Sequence, residues 1–71
     1  MKLHYYPETD SLYINLGAKP SADSREVADG VVLDFDSEDN IVGIDIEQAP
    51  QKLDLKTLEA HALPAVTVRL T

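Results

Sequence analysis

The stretch from Gly30 to Glu47, GVVLDFDSEDNIVGIDIE, constrains the fold more than any other. Two β-branched and apolar runs, 31–36 and 41–46, flank the turn-forming cluster Ser37-Glu38-Asp39-Asn40. With that cluster as a four-residue hairpin loop, Asp36 faces Ile41, Phe35 faces Val42, Leu33 faces Ile44 and Val31 faces Ile46. The last six residues are all apolar and share one face, because side chains alternate along a strand. The opposite face carries Val32, Asp34, Asp36, Ile41, Gly43, Asp45 and Glu47. A slip of one residue would mix the two sets, so the pattern itself selects the register.

The first sixteen residues follow the same logic. With Pro7-Glu8-Thr9-Asp10 as a four-residue loop, Tyr6 faces Ser11, Tyr5 faces Leu12, Leu3 faces Ile14 and Met1 faces Leu16. The apolar residues again collect on one side, leaving Lys2, His4, Tyr6, Ser11, Tyr13 and Asn15 on the other. Two such hairpins predict a continuous antiparallel sheet with one wet face. Residues 17–23 read as a connector, and Ser24–Ala28 as a short extended segment before an Asp29-Gly30 type I′ turn. Pro50 lacks the amide donor that a central strand needs, so the sheet pattern stops there. Asp54 is the expected N-cap of a helix over Leu55–Ala62, whose Leu55, Leu58 and Ala62 form a narrow stripe suited to the apolar sheet face. Pro64 ends it, and the alternation over Ala65–Thr71 predicts a final strand, in the same sheet or lent to a neighbouring subunit. The fold class is therefore α+β: a small curled antiparallel sheet, a meander of hairpins, with one short C-terminal helix.

The chain has 71 residues, so one domain with one core is expected over 1–71. A domain of that size buries only about 60% of its unfolded surface, which makes a homo-oligomer a natural expectation. No cysteine is present, which excludes a disulfide framework and a thiolate nucleophile. The formal net charge is −7, with only six Lys and Arg. That balance argues against direct nucleic-acid binding and for a basic protein partner. Neither a leader pattern nor a long apolar run is present, so a cytoplasmic protein away from the membrane is expected.

The blocks YYPETDSLYINL (5–16) and DGVVLDFDSEDNIVGIDIEQA (29–49) resemble the small prokaryotic proteins grouped as domain-of-unknown-function family 2283. The resemblance covers about the first fifty residues and is carried by the order and spacing of both blocks; the tail from Leu55 to Thr71 departs from the pattern. It implies a compact β-meander with a helix and no established activity, and it points towards antitoxin partners of small ribonuclease-like toxins. No catalytic residue carries over.

Three constellations compete for a role. The acidic loop Asp34 to Asn40 superficially resembles a calcium loop, but the sixth and twelfth positions hold Asp39 and Asp45 where an EF-hand needs Gly and Glu. Asp, Ser and Asn also favour ordinary turns. A small metal- or ligand-binding protein using this loop is thus the alternative reading. Asp34, Asp36, Asp45 and Glu47 share the polar face, where carboxylates resist aggregation and can receive a basic partner. Acid–base catalysis there would need a concave pocket, which an open sheet face does not supply. His4, Tyr6 and Tyr13 adjoin them, either as a contact surface or, with more weight, as cross-strand pairs stabilising the sheet. His61 falls in the expected helix, near its C-terminal end. Nucleophilic triads, phosphate-binding glycine loops and cofactor fingerprints are absent, so no catalytic residue, metal ligand or cofactor is assigned. The sequence reading is a non-enzymatic, acidic interaction module, antitoxin-like, that binds through Asp34, Asp36, Asp45, Glu47, His4, Tyr6 and Tyr13.

Overall fold

The computed structural model describes residues 1–64, 67 and 69. Its elements are β1 (Lys2–Tyr6), β2 (Ser11–Asn15), β3 (Asp23–Ala28), β4 (Val31–Phe35), β5 (Ile41–Ile46) and the one-turn helix α1 (Ala49–Lys52). The strands form one antiparallel sheet in the order β1-β2-β5-β4-β3, so the first hairpin docks against β5 of the second. The final strand expected over 65–71 rests on residues 65, 66, 68, 70 and 71, which lie outside the described residues.

The first hairpin adopts the expected register, with Leu3 opposite Ile14, Tyr5 opposite Leu12 and Tyr6 opposite Ser11. In the second, Val31 faces Ile46 and Leu33 faces Ile44 as expected, but Phe35 faces Ile41 and not Val42. Asp36 explains the shift. Its amide donates to the Asn40 carbonyl and its own carbonyl accepts from Asp39, which adopts a left-handed backbone (φ 69°). The loop therefore closes as the three residues 37–39, a turn followed by an αL residue, one shorter than the pattern suggested. Val42 becomes the extra residue on β5, and this bulge restores the apolar register behind it.

The same loop removes Asp36 from the exposed acidic face where alternation had placed it. Its carboxylate accepts hydrogen bonds from the amides of Glu38 and Asn40, both at 2.9 Å, and from Asn40 Nδ2. The residue is only 5% exposed. A second turn also differs from expectation. Type I′ requires positive φ at both central residues, whereas only Gly30 of Asp29-Gly30 has it (φ 71°). The register shift at Val27, between Glu26 and Ala28, adds the local twist that a primed turn would supply.

The helix lies earlier than predicted. Residues 54–62 are not helical, and Leu58 is 80% exposed. A narrow Leu55-Leu58-Ala62 stripe buries too little to offset the cost of nucleating two turns. The helical turn instead starts at Ala49, where Pro50 occupies a first-turn position that needs no amide donor. Non-local contacts hold α1 in place. The Ala49 amide donates to the Asp10 carbonyl in the first hairpin loop. Lys52 Nζ donates to the carbonyls of Asp29 (3.0 Å) and Glu47 (2.8 Å), which ties the helix to the β3–β4 turn. Ala49, at 0% exposure, seals Leu12 and Ile46, with Ile14, Ile44 and Leu53 packed around them. Full burial contributes about 1.5–3 kcal/mol for each large apolar side chain, so this cluster outweighs anything a four-residue helix supplies alone.

Hydrogen bonds from Asn40, first from its amide, together with the Glu38 amide hold the Asp36 carboxyl below its ordinary value of 3.8. A group with a depressed folded pKa contributes stability that is present above about pH 4 and is lost as pH falls through the folded value. Thermal melts between pH 7 and pH 2 should therefore show the wild type losing stability in that acid window. Asp36→Asn should be less stable at neutral pH and flatter below pH 4. Parallel curves for the two proteins would show that Asp36 does not couple the loop to pH.

Candidate functional site

Because the register is continuous across the junction of the two hairpins, the polar face is laid out in transverse rows. One row runs His4, Tyr13, Asp45, Val32, Glu26, and its neighbour runs Lys2, Asn15, Gly43, Asp34, Ser24. The sequence-predicted residues His4, Tyr6, Tyr13, Asp34, Asp45 and Glu47 are brought to this face, and Asp36 is not. Glu26 and Ser24 join it without having been singled out. The signal for them was the alternation of 23–28 read backwards from the Asp29-Gly30 turn.

Tyr13 and Asp34 are partners of each other. The Tyr13 hydroxyl donates to Asp34 Oδ2 at 2.8 Å, and Ser24 Oγ donates to Asp34 Oδ1 at 2.6 Å. The bond to the Asp34 carboxylate pushes the Tyr13 phenol above its ordinary value, since ionising it would break the bond and set two negative charges together. The tyrosine reaches Asp34 by crossing Gly43, where a Cβ would overlap its hydroxyl. This crossing is the physical reason for a glycine inside a central strand. On β1 the rings of His4 and Tyr6 are tilted, with centroids 4.4 Å apart.

Asp45 is half-buried, and Glu26 and Glu47 are exposed. Among the described residues, the ion pairs of Lys and Arg fall elsewhere: Lys19 with Glu38, and Arg25 with Asp23 and Asp39. These pairs also engage the acidic loop that had suggested a calcium site. Its Asp36 carboxylate is turned inward, and among the described residues no three of His, Cys, Asp and Glu form a group able to hold a metal ion. A shallow 440 Å³ cavity lies on the other face, lined by Tyr5, Leu12, Pro50 and Leu55. Tyr5 brings its one side-chain polar group there, a hydroxyl already donated to Asp10, so the cavity lacks the converging polar groups of a catalytic pocket. Among the described residues no helix is long and apolar enough to cross a membrane.

The crossing at Gly43 sets up a coupled pair. Gly43→Ala should cost about 1–3 kcal/mol by overpacking against the tyrosine. In a Tyr13→Ala background most of that cost should vanish, because sites in contact are not additive. Urea denaturation of the four proteins measures the coupling, and equal costs in both backgrounds would dismiss the contact. Tyr13→Phe, which keeps the ring and loses the bond, should cost about 1 kcal/mol in the same assay.

No curated protein and no solved structure matches the chain significantly. A family model does match, described as "Protein of unknown function (DUF2283)", over residues 2–49, a span from the start of β1 to the first residue of α1 that holds both hairpins and the whole polar face. The chain belongs to the DUF2283 family.

Proposed function

We propose that this protein is a non-enzymatic interaction module, antitoxin-like in kind, whose polar sheet face receives a basic protein partner. The observation that carries the reading is the layout of that face. Asp45, Glu26 and Glu47 stand on it beside His4 and Tyr6, while the ion-paired cations Lys19 and Arg25 are held elsewhere. An open sheet face bearing carboxylates and tyrosines suits a complementary basic surface, where charge steers the encounter and aromatic rings supply contact area. The formal charge of −7 extends the same field beyond the face. The cavity at the edge of this face, about 420 Å³ and lined by Met1, Lys2, Asn15, Gly17 and Ala18, is open and brings no carboxylate or histidine to serve as acid or base, which supports binding over catalysis.

Asp34 serves the partner indirectly on this reading. It fixes Tyr13 across the sheet and thereby the surface on which the free carboxylates stand. Reversing Asp34 or Asp36 would disturb the fold along with the charge, so the informative variant leaves both alone. Glu26→Lys, Asp45→Lys and Glu47→Lys together should keep a wild-type melting profile to within about 1 kcal/mol, as surface changes usually do. The test is affinity capture from a lysate of the encoding organism, with bound proteins identified by mass spectrometry. The wild type should hold a basic protein that leaves at high salt, since screening weakens exposed charge pairs. The triple variant should not hold it. Retention of the same protein by the variant would defeat the proposal, and so would the absence of any basic protein on the wild type.

A further inference from the structure

Lys52 grips the peptide bond that joins Asp29 to Gly30. That bond lies in the tight turn between β3 and β4, closed by the Ala28–Val31 pair. Lys52 Nζ donates to the Asp29 carbonyl at 3.0 Å and to the Glu47 carbonyl at 2.8 Å. The Gly30 carbonyl in turn accepts from the Glu47 amide at 2.8 Å. Two groups of the turn are left over, the Gly30 amide and the Asp29 carboxylate. Among the described residues the amide has no hydrogen-bond acceptor, and the exposed carboxylate has neither a donor nor an ion pair. Small residues also follow Asp10, Asp23 and Asp36, and there the carboxylates are engaged. Asp10 accepts from the Tyr5 hydroxyl, Asp23 pairs with Arg25, and Asp36 accepts from the amides of Glu38 and Asn40. A carboxylate so held is not free to turn onto the next amide. Each of these three is followed by Ser, whose Cβ crowds that amide, and Asp29 is followed by Gly.

We infer that Asp29-Gly30 is a site of spontaneous backbone isomerisation, aspartate to isoaspartate, with Lys52 as its catalyst. In the first step the Gly30 nitrogen attacks Cγ of the Asp29 carboxyl group. A C–N bond forms and a C–O bond breaks; the amide proton and the carboxyl hydroxyl leave as water, and a five-membered succinimide closes. In the second step water adds to the ring carbonyl that was the Asp29 main-chain carbonyl, and the bond from that carbon to the Gly30 nitrogen breaks. The chain then runs through Cβ and Cγ of residue 29, and the former main-chain carbonyl is a free carboxylate. One water leaves and one returns, so water is the only reactant required. Lys52 acts at both steps. Loss of the amide proton puts negative charge on the Asp29 carbonyl oxygen, and addition of water puts it on the same oxygen. Lys52 Nζ already lies 3.0 Å from that atom, the distance at which a fixed donor stabilises a developing oxyanion. The product carboxylate forms beside the same ammonium, where a charge-assisted bond replaces a neutral one. The extra backbone carbon lengthens a turn whose length sets the pairing of β3 with β4.

Peptide mapping of the full chain during incubation at neutral pH tests the inference, using mass-spectrometric fragmentation that separates isoaspartate from aspartate. Isoaspartate should accumulate at residue 29 faster than at Asp10, Asp23 or Asp36. Its absence at residue 29, or equal rates at the four sites, would overturn the inference. Lys52→Met removes the donor and also frees the turn, and the two effects have opposite signs. A lysine that merely held the turn would, once removed, leave a looser peptide that isomerises faster. A catalytic one would leave a slower peptide, by at least about tenfold for a lost oxyanion donor. Lys52→Arg, which still donates, should stay closer to the wild-type rate than Lys52→Met. An unchanged or faster rate in Lys52→Met would overturn the assignment. The wild type in concentrated urea gives a control that needs no variant to fold. There the contact is lost, so residue 29 should isomerise more slowly than in the folded chain, and a faster rate on unfolding would equally overturn it.

Discussion

Four residue pairs between β2 and β5, from Leu12–Ile46 to Asn15–Gly43, join the two hairpins, and the rest of the structure depends on that seam. Each hairpin alone would be marginal, because two strands cannot bury an apolar face. Joined, they align Leu3, Ile14, Ile44 and Leu33 into one band and Tyr5, Leu12, Ile46 and Val31 into another. The same register sets Tyr13 diagonally across Gly43 from Asp34. A one-residue slip at this seam would move every side chain of β1 and β2 to the wrong face. The acidic surface and the apolar surface are thus two consequences of one pairing.

The α1 turn acts as a clasp on that arrangement. Four residues are far below the length at which a helix is stable by itself, and this one persists because its ends are tied to different hairpins. The Ala49 amide reaches Asp10, and Lys52 reaches the Asp29 carbonyl, so the turn spans the sheet end from β1–β2 to β3–β4. Lys52 here is structural. Its charge is spent on two backbone carbonyls at the base of the Gly30 turn, where a Cβ at Gly30 would meet the ammonium.

The extent to which the sequence revealed this structure follows from the range of each interaction. The first hairpin was readable to the residue because its loop is closed by local contacts and both its strands alternate cleanly. The second was readable at Leu33 and Val31 but not at Phe35. There a side-chain preference lost to backbone closure, since Asp36 binds Asn40 and shortens the loop. The acidic face was legible as alternation, yet alternation gives direction and not partnership. It could not say that Asp34 is held by Tyr13 and Ser24, or that Asp36 is buried. Gly43 carried a signal, being a glycine inside an otherwise β-branched strand, but its meaning needed the β2–β5 register. The misplaced helix has the plainest cause. Leu55, Leu58 and Ala62 satisfy a periodicity, while Ala49 to Lys52 satisfies hydrogen bonds to residues up to thirty-nine positions away, and the second kind of constraint leaves no periodic mark.

The two faces place opposite demands on any assembly, and the fold keeps those demands apart. A chain with a net charge of −7 resists meeting its own acidic face, since like charges brought together and desolvated cost free energy. The apolar face carries no such charge: its rows are Tyr5, Leu12, Ile46, Val31 and Leu3, Ile14, Ile44, Leu33. A basic partner would meet the reverse situation on the polar face, where contact would neutralise Glu26, Asp45 and Glu47. One sheet thus turns its apolar side to the core and its carboxylates the other way, and the same pairing that builds the core leaves the acidic side open to a partner of opposite charge.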